Sequence, residues 1–376
     1  MLRLHFDRWT HFGEDNDETP NQCFLFDTCE IHETCNKPWS CFSSDSGCNY
    51  GKNDVPVVLG GIDGNGINVT KVEAYIGENA PNCGDIPDIP SDMAFKNRAT
   101  ASFDANIYGC GGESTNHAKP TAKCMVLDVL NKPDYNWKSS DEDIPPMPDA
   151  RTNAAAIGAY GELYVFGGSN VTSPNLFLMS SVFIYNPEDK GWRNLDTDME
   201  HARAGHCAIL QKDLVFLIGG KTCGCDKCMT VDTYNITTKE WKTYSLEDQQ
   251  PRMGHACTLY NNQIIVSGGA AGTDWTNILD DVISIDITPG SNFMTATQMS
   301  NLNFRRMSHG MAIYNDKPYV IGGHSTDDKY IDDNEILSED DTEWALNGAL
   351  YLTRSHFSVT ELSSEMISAD NPVGCP

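Results

Sequence analysis

Cysteine is the residue type in this chain whose number and spacing most directly suggest chemistry. The 376 residues include fourteen cysteines, an even number, as expected when thiols pair in disulfide bonds. Five lie close together near the N-terminus: Cys23, Cys29, Cys35, Cys41 and Cys48. A segment this short has no core of its own without cross-links, and its spacing does not match the paired CxxC pattern of zinc sites. We therefore predict a disulfide-linked segment over residues 1–50, with zinc as the alternative.

Three further cysteines predict bonds within or across the rest of the chain. Cys110 and Cys124 lie where two antiparallel strands of a hairpin could bring them together. A bond between them would stabilise the fold by about 3 kcal/mol for a loop of this length. Cys375 lies in the C-terminal tail, where a bond to the N-terminal segment would lock the end of the chain.

The segment "KTCGCDKC" (221–228) carries three cysteines, Cys223, Cys225 and Cys228, and Cys207 on the preceding strand is their candidate fourth partner. Disulfide bonds are the favoured interpretation, and a small metal site is the alternative. A redox role for the CxxC pair is disfavoured because Cys225 and Cys228 precede a strand rather than a helix.

Three sequons for N-glycosylation begin at Asn68, Asn170 and Asn235. Together with the cysteines they favour an oxidising, secretory environment. The N-terminus has no apolar run typical of a signal peptide. We expect a secreted glycoprotein whose signal peptide lies outside this sequence; the alternatives are export by another route and an intracellular protein with reduced cysteines.

The chain is strongly acidic, with 53 acidic and 26 basic side chains and a net charge of −27. This charge repels phosphate backbones and anionic membranes, so nucleic acid is not an expected partner. No apolar run is long enough for a transmembrane helix. The acidity peaks at residues 327–344, which we interpret as a solvated surface. Calcium is the one cofactor left open, because carboxylates are its natural ligands.

No sequence motif of a catalytic site is present. The chain lacks a GxSxG elbow, an HExxH helix, a P-loop and a nucleotide-binding fingerprint. His206, His255, His309 and His356 recur shortly after arginines, and this repetition favours a structural hydrogen-bonding role over a metal cluster. These observations predict that the chain is not an enzyme.

The elements that must position these residues form a repeat. Short apolar runs end in a glycine pair six times, the first glycines being residues 60, 111, 167, 219, 268 and 322. Arginines that open short strand-like segments precede five of the pairs, and a sixth follows the last: Arg98, Arg151, Arg203, Arg252, Arg306 and Arg354. A shared period of about 50 residues indicates a repeat architecture. Glycine at a strand end allows positive φ and a close approach of two backbones.

Each repeat also contains a third and a fourth strand. In "SSVFIYNPEDKGW" (180–192) and "MTVDTYNITTKEW" (229–241), apolar and polar residues alternate before a turn and a tryptophan. A four-stranded meander cannot bury its apolar faces alone, so neighbouring meanders must stack, and radial stacking gives a β-propeller.

Over roughly residues 55–362 the chain resembles kelch-repeat propellers, whose blades combine an Arg-x-x-His segment, a glycine pair, a tyrosine and a tryptophan. Histidine is absent after Arg98 and Arg151. The resemblance implies an all-β, six-bladed kelch-type propeller with four-stranded antiparallel blades. We place the propeller at residues 51–365 and a C-terminal tail at 366–376.

The order in which glycine pairs and arginine segments alternate along the chain predicts how the ring closes. Gly60 has no arginine segment before it, and the segment that begins at Arg354 has no glycine pair after it. We therefore predict that residues 354–362 supply the first strand of the N-terminal blade, which would cover edges otherwise left open.

The resemblance implies that loops on one face of the propeller make contacts with partners. Trp275, Phe177 and Leu178 lie in such loops and are the candidate contact residues. We predict a secreted, non-enzymatic binding or structural module for protein or glycan partners in an extracellular matrix, coat or assembly. The alternatives are a sugar-processing propeller of the mutarotase type and an intracellular kelch adaptor, although the helical region that such adaptors carry is missing here.

Overall fold

The computed structural model describes residues 54–75, 86–115, 119–130, 135–171, 177–222, 229–246, 248–272, 276–287, 294–325 and 329–363. Within these ranges the regular secondary structure consists of strands, with no helix, which confirms the all-β prediction. No membrane-spanning helix occurs in the same ranges. The chain divides into two compact units, Met1–Cys48 and Asn49–Pro376, and every described strand lies in the second. The domain boundaries at residues 50 and 365 stay predictions.

Twenty-seven strands make up the described part of the chain. In chain order they are β1 (Asp54–Leu59), β2 (Glu73–Ala74), β3 (Ala99–Phe103), β4 (Asn106–Cys110), β5 (Cys124–Asp128), β6 (Ala155–Ala159), β7 (Glu162–Phe166), β8 (Val182–Asn186), β9 (Gly191–Asn194), β10 (Arg203–Ala204), β11 (Cys207–Gln211), β12 (Leu214–Ile218), β13 (Lys221–Thr222), β14 (Met229–Asn235), β15 (Trp241–Leu246), β16 (Arg252–Met253), β17 (Ala256–Tyr260), β18 (Gln263–Ser267), β19 (Ala270–Ala271), β20 (Asn277–Ile278), β21 (Val282–Asp286), β22 (Ala296–Gln298), β23 (Gly310–Tyr314), β24 (Lys317–Ile321), β25 (Asp333–Leu337), β26 (Trp344–Ala349) and β27 (Ser358–Ser363).

These strands form six antiparallel sheets that we name blades 1 to 6. In strand order they are β27-β1-β2, β3-β4-β5, β6-β7-β8-β9, β11-β12-β14-β15, β17-β18-β21-β22 and β23-β24-β25-β26. Blades 3 to 6 thus have the predicted four strands. The fourth strand of blade 2 is reduced to a bridge between Val126 and Lys138. Two small sheets, β10-β13 and β16-β19-β20, join the arginine segments to the loops after the glycine pairs.

The first strands of the blades surround a common centre. Strands β27, β3, β6, β11, β17 and β23 contact one another in this order, and β23 contacts β27. The described sheets therefore form a closed ring, which is the arrangement of a propeller.

The hydrophobic core is divided among the junctions between blades. Six clusters of buried residues each join two neighbouring blades; one, for example, packs Phe166 and Val182 of blade 3 against Val215 and Tyr234 of blade 4. Because both faces of each sheet are covered, second strands such as β12 are continuous apolar runs.

The C-terminal strand closes the ring as the phase of the repeats predicted. Strand β27 pairs with β1 in antiparallel register, from Val55 opposite Leu362 to Leu59 opposite Ser358. The prediction that residues 354–362 supply the first strand of the N-terminal blade is confirmed. This pairing joins the two ends of the propeller and covers an edge that would otherwise be open.

The marker arginines form hydrogen bonds with the ends of the second strands in five blades. In five blades the Nη1 atom donates to the carbonyl oxygen of the first glycine of the pair: Arg151 to Gly167, Arg203 to Gly219, Arg252 to Gly268, Arg306 to Gly322 and Arg354 to Gly60. Three of these arginines form ion pairs in which both side chains are fully buried: Arg203 with Asp232, Arg306 with Glu335 and Arg354 with Glu73. The role of these arginines is therefore structural.

The glycine pairs are needed because backbones meet there. Gly167 has a φ of +56°, and a Cβ atom placed on it would lie 2.6 Å from the carbonyl oxygen of Arg203, at the start of the next blade. No side chain fits at that distance, and the positive φ disfavours any L-residue.

Arg98 departs from the pattern that its spacing suggested. In the other blades, backbone pairing joins the residue that follows the marker arginine to the residue that follows the glycine pair. In blade 2 the same pairing joins Lys96 to Glu113, and Lys96 follows Phe95. Phe95 is therefore the equivalent of Arg151. Phe95 and Arg151 are 56 residues apart in the sequence, the same spacing as between the first glycines of the two blades, Gly111 and Gly167. The prediction of Arg98 as a sixth equivalent marker is wrong. The guanidinium of Arg98, which lies three residues after Phe95 in the sequence, is 5.0 Å from the centre of the Phe95 ring.

Two disulfide bonds lie in the described part of the chain. Cys110 and Cys124 are bonded across the paired strands β4 and β5, as predicted. Cys207 is bonded to Cys257, so its predicted pairing with the 221–228 loop is wrong. Both cysteines lie on first strands of neighbouring blades, which the ring brings together although 50 residues separate them. The remaining candidates lie outside the described residues: Cys23, Cys29, Cys35, Cys41, Cys48, Cys223, Cys225, Cys228 and Cys375.

Candidate functional site

A closed circle of backbone hydrogen bonds lies where the first strands begin, on the face that carries the glycine pairs. We name its members, one per blade, the mouth ring: His356, Asn97, Asn153, Gly205, Gly254 and Ser308 for blades 1 to 6. Each N–H donates to the carbonyl oxygen of the member in the preceding blade, at 2.7–3.1 Å, and Asn97 donates to His356 to complete the circle.

All members of the mouth ring have positive φ, between 51° and 68°. Four of them are not glycine, so the backbone there is strained. Such strain persists where the surrounding structure enforces it, and here each backbone group is held by the two neighbouring blades. The ring therefore offers a rigid platform for side chains around its centre.

The residue before each mouth-ring member differs sharply between blades. Thr152, Ala204 and Ser355 are fully buried, whereas Lys96, Met253 and Met307 are half-buried. The long side chains beside the mouth ring therefore come from three blades, one cationic and two apolar.

Lys96 belongs to a polar cluster with Asn97 and Glu113. The ammonium of Lys96 lies 3.3 Å from Oε1 of Glu113, and Nδ2 of Asn97 donates to the same oxygen at 3.4 Å. Glu113 is only 6% exposed. Its other oxygen, Oε2, is buried and has no hydrogen-bond partner among the described residues. A buried carboxylate oxygen without a donor is costly, and this oxygen is the hydrogen-bonding position of Glu113 that the described residues leave unfilled.

His356 and His324 extend the polar cluster on blade 1 and blade 6. Their rings stack with centroids 5.0 Å apart, and Nδ1 of His356 lies 2.8 Å from the hydroxyl of Ser355. Burial lowers the pKa of His356 to about 3, with His324 and Lys96 as smaller causes. The imidazole of His356 is therefore neutral near pH 7. We refer to Lys96, Asn97, Glu113, His324 and His356 as the polar pole.

The mouth ring is apolar beside its two glycine members. A Cβ atom on Gly205 would lie 3.1 Å from the Met253 methyl group, and one on Gly254 would lie 3.4 Å from the Met307 methyl group. The two methionine methyl groups thus take the places that side chains of the mouth ring would otherwise fill in blades 4 and 5. We refer to Met253 and Met307 as the apolar pole.

The arrangement combines groups that can bind and exchange protons with a polar molecule. A carboxylate oxygen lacking a donor accepts a proton or a hydrogen bond, an ammonium stabilises negative charge, and a neutral imidazole accepts or donates a hydrogen bond. The described residues contain no group of three or more histidine, cysteine, aspartate or glutamate side chains placed to hold a metal ion. Calcium binding stays a prediction.

Sequence reasoning missed this site and misplaced one histidine. His356 lies two residues after Arg354, whereas His255 lies three after Arg252. His356 is consequently a member of the mouth ring and does not take the position between blades of the other histidines, although it keeps a hydrogen-bonding contact with Ser355. Glu113 and His324 each directly follow a glycine pair. A polar residue at that position of the repeat was the sequence signal that could have indicated this site.

The other three histidines pack between blades. Nε2 of His255 lies 3.0 Å from the carbonyl oxygen of Ile218, and Nε2 of His309 lies 2.9 Å from the hydroxyl of Ser267. These two confirm the predicted hydrogen-bonding role. His206 has no hydrogen-bond partner for either ring nitrogen among the described residues.

Two of the three candidate contact residues belong to the described part of the chain. Phe177 is 65% exposed, and Leu178 forms a bridge with Ser169 on the glycine-pair face. Trp275 lies outside the described residues. Of the sequon asparagines, Asn170 is exposed, whereas Asn68 and Asn235 are half-buried.

Comparison with known proteins gives a family match over more than half of the chain. The model described as the KLHDC2/KLHL20/DRC7 Kelch-repeats domain matches residues 163–367. Among solved structures, that of YjhT is similar with a TM-score of 0.61 and 18% identity, over 74% of this chain and 90% of the other. This likeness supports the propeller fold.

Curated relatives match shorter regions. Kelch-like protein 33 of Homo sapiens is 28% identical over 145 residues, which is 38% of this chain and 24% of that protein. N-acetylneuraminate epimerase of Brucella suis is 28% identical over 139 residues, 36% of this chain and 32% of that protein. The chain thus spans about a quarter to a third of the length of these relatives.

The relatives correct one prediction. The absence of catalytic motifs predicted that the chain is not an enzyme, yet several relatives are named N-acetylneuraminate epimerase. The prediction is therefore wrong, because a site assembled from separate blades, as the polar pole is, leaves no short motif in the sequence.

Proposed function

The chain belongs to the kelch-repeat family, and from this premise we propose that its propeller binds a cyclic sugar at the mouth ring and interconverts the two anomers. The kelch propeller provides the binding scaffold. The observation that carries the proposal is Oε2 of Glu113, a buried carboxylate oxygen without a donor beside an ammonium. The relatives named as epimerases of a sugar support the choice of ligand.

The chemistry requires two proton transfers to open the ring, two to close it, and no other reactant. Glu113 takes the proton of the anomeric hydroxyl group while the bond between the anomeric carbon and the ring oxygen breaks. The ring oxygen receives a proton from the ammonium of Lys96. After rotation of the open-chain carbonyl, the ring closes on the other face, Lys96 regains its proton and Glu113 returns the other to the new anomeric hydroxyl.

The neighbouring residues orient this pair. Asn97 donates to Oε1 of Glu113 at 3.4 Å, which leaves Oε2 for the sugar. His356 is held neutral by burial, which lowers its pKa, so it adds no charge next to Lys96. General acid–base catalysis of this kind contributes about 10²–10⁴-fold in rate.

The test follows the anomers by proton NMR, starting from a freshly dissolved single anomer of N-acetylneuraminate. We expect the protein to accelerate equilibration and Glu113→Gln, which keeps the shape and removes the base, to lower the rate at least 100-fold. Glu188→Gln, at an exposed turn on the opposite face, is the matched control and should leave the rate unchanged. An unchanged rate in Glu113→Gln, or no acceleration by the wild-type protein, would refute the proposal.

A macromolecular partner is a second candidate, favoured by the exposure of Phe177 on the same face. We propose that Phe177, Leu178 and Trp275 contact a protein or glycan partner in an extracellular assembly. Phe177→Ser should weaken retention of such a partner from the native extracellular material. Leu130→Ser, which changes an exposed apolar residue on the opposite face, is the control. Equal retention by both variants would contradict this contact.

We also propose that the chain works outside the cell, supported by the two disulfide bonds and the three sequons. Intact mass before and after reduction, and after removal of N-glycans, tests this. We expect few free thiols and a glycan at the exposed Asn170. Fourteen free thiols without glycan would overturn the localisation.

A further inference from the structure

His356 is the member of the polar pole whose role depends on the position of one proton. Its imidazole is neutral near pH 7, because burial lowers its pKa to about 3. A neutral imidazole carries its proton on either Nδ1 or Nε2. The form protonated at Nε2 donates a hydrogen bond from that atom, whereas the form protonated at Nδ1 accepts one there. The hydrogen bond made by Nδ1 decides between the two forms.

The partner of Nδ1 is the hydroxyl group of Ser355, at 2.8 Å. Ser355 is fully buried, and its backbone is paired in both directions with Ile62, at 2.9 and 3.0 Å. This pairing fixes the position from which the hydroxyl group reaches the imidazole. Among the described residues, Nδ1 of His356 is the one hydrogen-bond partner of that hydroxyl group.

The hydroxyl group of Ser355 donates in this contact, because Nδ1 is the acceptor within its reach. A hydroxyl group has a single hydrogen, and a buried donor without an acceptor is costly. Nδ1 therefore carries no proton, and the proton of the neutral imidazole lies on Nε2, on the edge of the ring away from Ser355. His324 stacks on the face of the ring, with 17° between the two planes, and so does not cover that edge. His356 is half-buried, which leaves the donor available to a molecule in the mouth.

We propose that Ser355 is a positioning residue that fixes His356 in the Nε2-protonated form, and that Nε2 donates a hydrogen bond to an oxygen atom of the bound sugar. The second part rests on the proposed function, whereas the first does not. In the proposed reaction Glu113 takes the proton of the anomeric hydroxyl group, and negative charge grows on the oxygen as the proton leaves. A fixed donor at that oxygen stabilises the growing charge.

Two informative substitutions at Ser355 use residues that this chain already carries at the equivalent position. These residues are Thr152 in blade 3 and Ala204 in blade 4, and both are fully buried. Ser355→Thr, which keeps the hydroxyl group, and Ser355→Ala, which removes it, should therefore both fold. Thr152→Ala is the matched control, because the hydroxyl group of Thr152 has no hydrogen-bond partner among the described residues.

The tautomer of His356 is read near pH 7 from two-bond proton–nitrogen correlation spectra of the protein with ¹⁵N-labelled histidine, without sugar. The resonances of His356 are identified by their loss in His356→Asn, since asparagine occupies this position in blades 2 and 3. We expect an unprotonated Nδ1 and a protonated Nε2 in the wild type, in Ser355→Thr and in Thr152→Ala, and a mixture of both forms in Ser355→Ala. A proton on Nδ1 of the wild type, or an unchanged tautomer in Ser355→Ala, would overturn the positioning role.

The role of the donor is measured by proton NMR as the rate at which the anomers of N-acetylneuraminate equilibrate. Ser355→Ala should lower kcat about tenfold, as expected for one hydrogen bond, with little change in KM, because the donor acts on charge that develops during the reaction. Ser355→Thr should retain the wild-type rate. An unchanged kcat in Ser355→Ala would overturn the donor role. If the wild-type protein has the expected tautomer but does not accelerate equilibration, the proposed function and the donor role are both overturned, and the positioning role of Ser355 stands.

Discussion

Acid should unfold this propeller through three histidines that are buried between its blades. His206, His255 and His309 are each 6–7% exposed. Burial lowers the pKa of all three, to about 3 for His255 and well below the ordinary value for the other two. The positive charges of the nearby arginine markers lower these pKa values further.

The sign and size of the effect follow from the difference in proton binding. In the unfolded chain a histidine binds its proton near pH 6.5, whereas in the folded chain it stays neutral to a much lower pH. The neutral histidines therefore contribute their full stabilisation above pH 6.5. Below pH 6.5 the free energy of unfolding falls by about 1.4 kcal/mol per histidine for each pH unit, until the pKa of the folded state is reached. At pH 5 the loss is about 2 kcal/mol for His255, whose folded pKa is about 3, and His206 and His309 add to it in the same direction.

Urea unfolding followed by tryptophan fluorescence at pH 8, 7, 6 and 5 measures this loss. His309→Phe is the informative variant, because Phe357 occupies the equivalent position in blade 1. This variant loses the contact with Ser267 at every pH, but its stability should fall less steeply with acid, by about 1.4 kcal/mol per pH unit below pH 6. Parallel pH curves for the wild type and the variant would refute the reasoning.

Three further predictions concern the links between and within blades. Gly167→Ala should lower the free energy of unfolding by more than about 2 kcal/mol, because its Cβ would meet a backbone oxygen at 2.6 Å. Gly66→Ala is the control: this glycine also has positive φ but open space around it, so the substitution should cost only about 1 kcal/mol of backbone strain. Urea unfolding compares the two, and equal losses would contradict the steric argument. Arg306→Leu leaves a fully buried carboxylate without its partner and should cost about 3–5 kcal/mol by the same assay; a loss below 1 kcal/mol would show that the pair is not buried as described. Replacement of Cys207 and Cys257 by alanine should cost about 4 kcal/mol for a separation of 50 residues, and thermal unfolding should show that difference only without reductant.

The repeats and the closure of the ring could be predicted from the sequence. The glycine pairs recur with nearly constant spacing, and each marks a local backbone requirement that a neighbouring residue cannot remove. The unpaired markers at Gly60 and Arg354 predicted the pairing of β1 with β27, and the kelch resemblance is confirmed by the family match. The hairpin bond between Cys110 and Cys124 was also predictable, because both cysteines lie on adjacent strands of one blade.

The candidate site and the remaining pairings were decided by the tertiary structure. Arg98 matched the marker in residue type but lies three positions later in the blade, since the spacing of arginines alone does not fix the register of a loop. Cys207 had nearby cysteines in the sequence, yet its partner is on the next blade, at a distance in sequence of a whole repeat. Lys96, Glu113, His324 and His356 come from three blades and meet only because the ring brings equivalent positions to one centre. The sequence by itself determined the repeating unit, because local strand, turn and glycine requirements act within about 50 residues, whereas the chemistry at the centre depends on contacts between repeats, which only closure of the ring creates.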